Sequence, residues 1–166
     1  MGLGLSCLGL LLSAPASAAE GIDCLLDHLS PFQKAEVVAW VNSDAEAPTA
    51  FKVIARACER QYGWTPTASY NAAMYTAQAI VAAYIRDKGA LSLTLREQID
   101  RAIDSTPVHI IRDIMWNDAS PERYEGLVTL LDKTGVQRGL PNDMFADEYA
   151  AAQSEMRINL YDFDRQ

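Results

Sequence analysis

Histidine is scarce in this sequence, and its scarcity excludes several kinds of catalytic and metal-binding site. Only two histidines, His28 and His109, occur among the 166 residues. The sequence therefore contains no H-E-x-x-H zinc-protease motif, no Glu-x-x-His motif of a di-iron bundle and no C-x-x-C-H haem attachment. Nucleotide-binding glycine loops, the G-x-S-x-G turn of hydrolases and the EF-hand calcium loop are also absent. These absences favour a protein that is not an enzyme and that needs no cofactor or metal.

Basic residues are also in deficit, and this deficit bears on the kind of partner. The chain has 14 Lys and Arg against 22 Asp and Glu, which gives a formal net charge of −8. An acidic chain has no electrostatic basis for gripping nucleic acid or anionic lipid, so we expect no nucleic-acid partner. The 49% hydrophobic content and 22% charge exclude an intrinsically disordered chain.

Long apolar runs are missing except at the N-terminus, where residues 1–18 resemble a signal peptide. The apolar stretch Leu3–Leu12 is too short to cross a bilayer, and Ala16-Ser17-Ala18 fits the small-residue cleavage rule. No Lys or Arg precedes the stretch, so the signal is weak or the start is assigned too late. A buried N-terminal helix is the alternative. We predict a periplasmic or secreted protein whose residues 19–166 form a single α-helical domain without a membrane span.

Cysteine is nearly absent, and the few cysteines suggest one crosslink. Cys7 leaves with the predicted signal peptide, so only Cys24 and Cys58 remain. An even cysteine count in an exported protein predicts a disulfide. Two alternatives stay open: a free reactive thiol, or a zinc site in which His28 and His109 complete the ligand set.

Helix-start signals recur along the chain. Ser or Thr precedes Pro at four places, where the hydroxyl can cap the first turn and proline fits its first position. They are Ser30-Pro31, Thr65-Pro66, Thr106-Pro107 and Ser120-Pro121. Capping boxes are expected at Ser30 with Gln33, Ser43 with Glu46 and Thr94 with Glu97.

The apolar spacing between these signals predicts an all-α fold, an irregular bundle of about seven to eight helices with one disulfide. The predicted helices cover 21–29, 31–42, 45–62, 66–88, 95–104, 107–117, 121–134 and 143–161. The second is expected to be central because apolar residues, including Phe32, surround most of it. The fourth is expected to bury a seam of Tyr70, Met74, Ala77, Val81 and Tyr84.

The sixth predicted helix carries the best candidate for an interaction surface. One arc is apolar, and His109, Arg112, Asp113 and Trp116 share the opposite arc at i, i+3, i+4 and i+7. Tryptophan beside arginine is a composition typical of recognition surfaces. The alternative is that Trp116 packs under a neighbouring helix and that Arg112 and Asp113 form a surface ion pair.

Other residues give weaker signals. Asp100 and Asp104 lie one helical turn apart and could act as an acid–base pair or simply form a solvated helix face. Trp64 is expected to fill the junction between two helices. The aromatic and acidic tail 161–166 is expected to dock on the bundle or on a partner.

Three functions follow as hypotheses. The first is a non-catalytic exported protein that binds another envelope or secreted protein, as an inhibitor, an immunity protein or a chaperone. The second is a small-ligand carrier with a pocket lined by Trp40, Tyr70, Tyr84 and Trp116. The third is an envelope enzyme with a dispersed pair of carboxylates. The sequence specifies neither the partner nor the oligomeric state.

Overall fold

The computed structural model describes residues 21–43, 45–89, 91–116, 125–136 and 143–166, and these residues form helices without a strand. Their eight helices are α1 (Cys24–His28), α2 (Pro31–Val41), α3 (Thr49–Tyr62), α4 (Pro66–Asp87), α5 (Leu93–Ser105), α6 (Val108–Trp116), α7 (Glu125–Lys133) and α8 (Asp143–Phe163). The all-α prediction is therefore confirmed. The predicted signal peptide and the Ser120-Pro121 helix start lie outside the described residues.

Helices α4 and α8, with 22 and 21 residues, form the centre of the fold and pack along each other. Small side chains allow this close approach. Ala72 and Ala77 of α4 and Ala146 and Ala150 of α8 are fully buried. Alanine also has the highest helix propensity, so the same residues favour the two long helices and their contact.

The prediction that α2 is central is wrong. Within α2 only Val37 is buried, and Phe32 is 72% exposed. The seam predicted for α4 is wrong in part, because Tyr70 is 63% exposed and Tyr84 is also exposed. In both cases hydropathy did not show which face is buried: the contact between α4 and α8 includes many alanines, and Phe32, Tyr70 and Tyr84 lie outside it.

Local capping signals are confirmed at two starts and wrong at others. Ser30 forms the capping box with Gln33, and the Thr65 hydroxyl accepts from the Ala68 amide. Helix α5 is capped by Ser92 instead of Thr94, because the Ser92 hydroxyl accepts from the Leu95 amide, and the helix begins at Leu93.

The other two expected caps are replaced by different hydrogen bonds. Ser43 does not cap α3, since its hydroxyl accepts from the nearby Ala45 amide. The Thr106 hydroxyl donates back to the Ala102 carbonyl.

Two main clusters of buried apolar residues result. The larger one joins α4 and α5 to α6, α7 and α8, with Ile99, Ile111 and Leu131 fully buried. The second joins α1, α2 and α3 to α4, around Leu25 and Phe51. None of the described helices is long and apolar enough to cross a membrane.

The C-terminal tail docks on the bundle, which is one of the two outcomes expected for it. Phe163 is buried and meets the edge of Trp64, with ring centroids 5.3 Å apart. Trp64 in turn stacks on Tyr62 at 5.5 Å. Trp64 thus fills the junction of α3 and α4, as predicted, and holds the end of α8 against it. Tyr161, two residues before Phe163, lies beside Arg112 of α6.

Candidate interaction surface

Helix α6 is amphipathic, and its orientation follows from this pattern. Ile111 and Met115 are buried against the larger core, with Val108 and Ile114 packed beside them. The opposite side of α6 is therefore turned outward, and it carries Trp116, which is 56% exposed. The alternative reading, in which Trp116 packs under a neighbouring helix, is not what the described residues show.

Arg112 connects α6 to the end of α8. Its guanidinium nitrogen Nη2 lies 2.5 Å from Asp162 Oδ1 in a half-buried ion pair. The same guanidinium lies 5.6 Å from the Trp116 ring centroid and 5.8 Å from the Tyr161 ring centroid. Cations at this distance from an aromatic face are attracted by the ring quadrupole. The planar cation is thus fixed between two aromatic side chains from different helices.

A second arginine extends the arrangement. The Arg165 guanidinium lies 5.0 Å from the Tyr161 ring centroid, and its Nη1 donates to the Tyr161 hydroxyl at 2.9 Å. Tyr161 is 41% exposed. We call Arg112, Trp116, Tyr161 and Arg165 the arginine–aromatic surface. Its rings and cations are held in place before any partner arrives, which lowers the entropy cost of binding.

The sequence prediction located half of this surface. Arg112 and Trp116 do come together, as their i, i+4 spacing requires. His109 and Asp113 are exposed on the same helix, and His109 forms no hydrogen bond or ion pair within the described part of the chain. Tyr161 and Arg165 were missed as members, because only the docking of α8 brings them to α6. The mixed aromatic and charged tail was the signal that pointed to them.

The two cysteines in the described part of the chain form the predicted disulfide. Cys24 and Cys58 have an S–S distance of 2.01 Å and Cα atoms 6.0 Å apart, and the bond ties α1 to α3. His28 lies beside the pair, so the potential ligand atoms of these three residues fall within 4.8 Å of one another. The two sulfurs are bonded to each other and are not thiolates that zinc could use. His109 is not part of this group, so the four-ligand arrangement considered above does not form.

Asp100 is the better buried of the two carboxylates singled out on α5. The Tyr149 hydroxyl donates to its Oδ2 at 3.3 Å, and its Oδ1 is buried without a hydrogen-bond partner among the described residues. Burial raises the pKa of Asp100, the Tyr149 hydrogen bond opposes that rise, and the charge of Asp104 adds to it. Asp104 is itself exposed, so the two carboxylates do not share a cleft.

A different pair of carboxylates does line one small cleft. Glu148 and Glu155 of α8 border a cavity of about 250 Å³ together with Trp40 and Gln78. The Gln78 amide donates to Glu155 at 2.5 Å, and burial raises the pKa of Glu148. The sequence had placed no role on Glu155, because the cleft depends on how α2 and α4 meet α8.

A larger groove of about 570 Å³ lies between α2, α4 and α8. Of the four aromatic residues expected to line a carrier pocket, only Tyr84 borders this groove. Trp40 borders the smaller cleft, and Trp116 belongs to the arginine–aromatic surface. The groove lining is otherwise formed mostly by aliphatic side chains.

Comparison with known proteins finds no matching protein family, no similar curated protein and no similar solved structure.

Proposed function

We propose that this is an exported, non-catalytic protein that binds another envelope or secreted protein through the arginine–aromatic surface. The observation that carries the proposal is the fixed stack in which Arg112 lies between the rings of Trp116 and Tyr161. Tryptophan, tyrosine and arginine are the residue types most enriched among energetically dominant interface positions. Here they adjoin one another on an exposed part of the molecule.

Two further features support this use of the surface. The Asp162 ion pair neutralises Arg112 within the chain, so a partner does not have to supply a buried counter-charge. Trp116 is 56% exposed, so most of its ring is accessible to a partner. The surface therefore combines aromatic area with an arginine that is already paired with a carboxylate of the same chain, which suits burial under a protein partner.

The experiment uses full-length mature protein, immobilised and exposed to an envelope extract of the source organism, with quantitative mass spectrometry of what is retained. Trp116→Ala is the main variant. Tyr70→Ala is the matched control, because Tyr70 is an equally exposed aromatic residue on α4. We expect one or a few proteins to be lost with Trp116→Ala and retained with Tyr70→Ala.

The captured protein is then purified and titrated against each variant. Trp116→Ala should weaken binding by about 2 kcal/mol or more, the range of dominant interface residues. Arg112→Lys should also weaken it, because lysine keeps the charge near Asp162 but loses the flat cation between the rings. Unchanged melting temperatures show that the variants fold. Identical affinity of wild type and Trp116→Ala would overturn the proposal.

A further inference from the structure

The groove between α2, α4 and α8 is separate from the arginine–aromatic surface and has the features of a small-molecule site. Its volume of about 570 Å³ falls within the range typical of ligand pockets. Most of its lining is aliphatic, from residues such as Leu26, Val38, Ile80 and Met156. None of the arginine–aromatic residues borders it.

Polar side chains are the minority of the groove lining, and cations outnumber carboxylates among them. Two cationic side chains, Lys34 of α2 and Arg86 of α4, border the groove, against the single carboxylate of Asp87. This local excess of positive charge stands out in a chain whose formal net charge is −8. The Tyr75 hydroxyl and the Gln153 amide add hydrogen-bonding groups. An apolar channel with a few polar groups at defined places is the usual form of a site that orients its ligand.

We propose that this groove binds a small amphipathic anion, a molecule with one aliphatic chain and one carboxylate. The aliphatic chain lies along Val38, Ala79 and Ile80, and the carboxylate is held by Lys34 and Arg86. Charge complementarity selects an anion over a cation of the same length. The apolar lining provides the larger share of the binding free energy, since buried apolar area is the main favourable contribution.

The experiment is isothermal titration of the full mature chain with decanoate, below the concentration at which it forms micelles. Decyltrimethylammonium, which has the same chain length and the opposite charge, is the comparison ligand. We expect one decanoate per chain and clearly weaker binding of the cation. Absence of decanoate binding, or equal binding of both ligands, would contradict the proposal.

Two sets of variants locate the binding. Lys34→Gln with Arg86→Gln should weaken decanoate binding about fivefold or more, as expected for two partly exposed ion pairs. The control double variant, Arg56→Gln with Arg60→Gln, removes the same net charge from exposed positions of α3. Its effect should stay below about twofold because salt screens distant charges.

The apolar part is tested from an exposed position, so that the core is left intact. Ala35→Phe places a ring at the groove, whereas Ala39→Phe, one turn further along α2, lies outside its lining. Ala35→Phe should abolish decanoate binding and Ala39→Phe should leave it unchanged. Equal binding by both variants would place the ligand elsewhere and overturn the proposal. Trp116→Ala should bind decanoate like wild type, so this inference and the proposed protein interaction can fail independently.

Discussion

Two regions of this fold, the central pair α4 and α8 and the outer region of α1, α2 and α3, are held together by different means. The central helices α4 and α8 are long, and their buried alanines bring them close along their length. In the outer region α1 has only five residues, and α2 buries only Val37. A helix of five residues is not stable by itself. There the Cys24–Cys58 disulfide supplies the connection between α1 and α3 that packing supplies in the centre.

The two regions therefore depend on different sources of stability. Where long helices meet over many small side chains, dispersion and burial are sufficient. Where helices are short and partly exposed, a crosslink that restricts the unfolded chain contributes more than any single contact. The stability of the outer region should therefore depend on redox conditions, whereas the stability of the α4–α8 pair should not.

The largest expected effect comes from removing the crosslink. Cys24→Ala with Cys58→Ala should lower the free energy of unfolding by about 3–4 kcal/mol, because the bond closes a loop between residues 34 apart in sequence. Denaturant unfolding measures the loss. Reduction of wild type should produce a similar loss, and the double variant should be insensitive to reductant.

Hydrogen exchange then separates the two regions. In the double variant, amides of α1 and α3 should exchange faster, while those of α4 and α8 keep most of their protection. Equal loss of protection throughout both regions would show that the disulfide stabilises the fold as one cooperative unit. In that case the outer region and the central pair would not differ in what stabilises them.

A smaller effect, of opposite sign, is expected in the centre. Thr76 of α4 is fully buried, and its hydroxyl has no hydrogen-bond partner among the described residues. Valine has the same shape without the unsatisfied hydroxyl. Thr76→Val should therefore raise the free energy of unfolding by about 1 kcal/mol.

The matched control is Thr67→Val, an exposed position on the same helix. Its effect should stay within about 0.5 kcal/mol of zero, as for most surface substitutions. Destabilisation by Thr76→Val would mean that the hydroxyl does find a partner, and that the centre depends on a polar contact as well as on packing.

The sequence predicted local structure better than it predicted which faces are buried. Ser30 and Thr65 were identified as caps because a cap depends only on residues three positions apart. Leu95, Ile99 and Ile103 of α5 are buried along a single apolar stripe, a pattern that sequence spacing can identify. The centrality of α2 was wrong, since hydropathy alone cannot show which neighbour a helix meets. Size complementarity decides that, and it favoured the alanine-rich helices.

The candidate surface was likewise predictable from the sequence only in part. Arg112 and Trp116 are neighbours on one helix, so spacing alone predicted their contact. Tyr161 and Asp162 join them because α6 packs against α8, whose end lies about 50 positions further along the sequence. Contacts across that separation depend on the packing of several helices, and no periodicity in the sequence encodes them directly.

The smallest expected effect concerns the hydrogen bond from Tyr149 of α8 to Asp100 of α5, which joins these helices in addition to the hydrogen bond from Arg157 to the Ile103 carbonyl. Burial raises the pKa of Asp100 above the ordinary aspartate value of 3.8, so the protonated carboxyl stabilises the fold. That contribution is complete below pH about 3.8 and is lost as the pH rises through the folded-state pKa.

Asp100→Asn keeps an oxygen that accepts from Tyr149 but carries no charge. It should be more stable than wild type at neutral pH, by less than about 1 kcal/mol because the carboxyl is partly solvated. Urea unfolding between pH 3 and pH 7 should show the difference growing with pH and then levelling off. Asp104→Asn should also raise the free energy of unfolding at neutral pH, but by a smaller amount. The charge of Asp104 contributes less than burial does to the raised pKa of Asp100. A variant less stable than wild type at neutral pH would mean that the contact between α5 and α8 depends on the ionised carboxylate of Asp100.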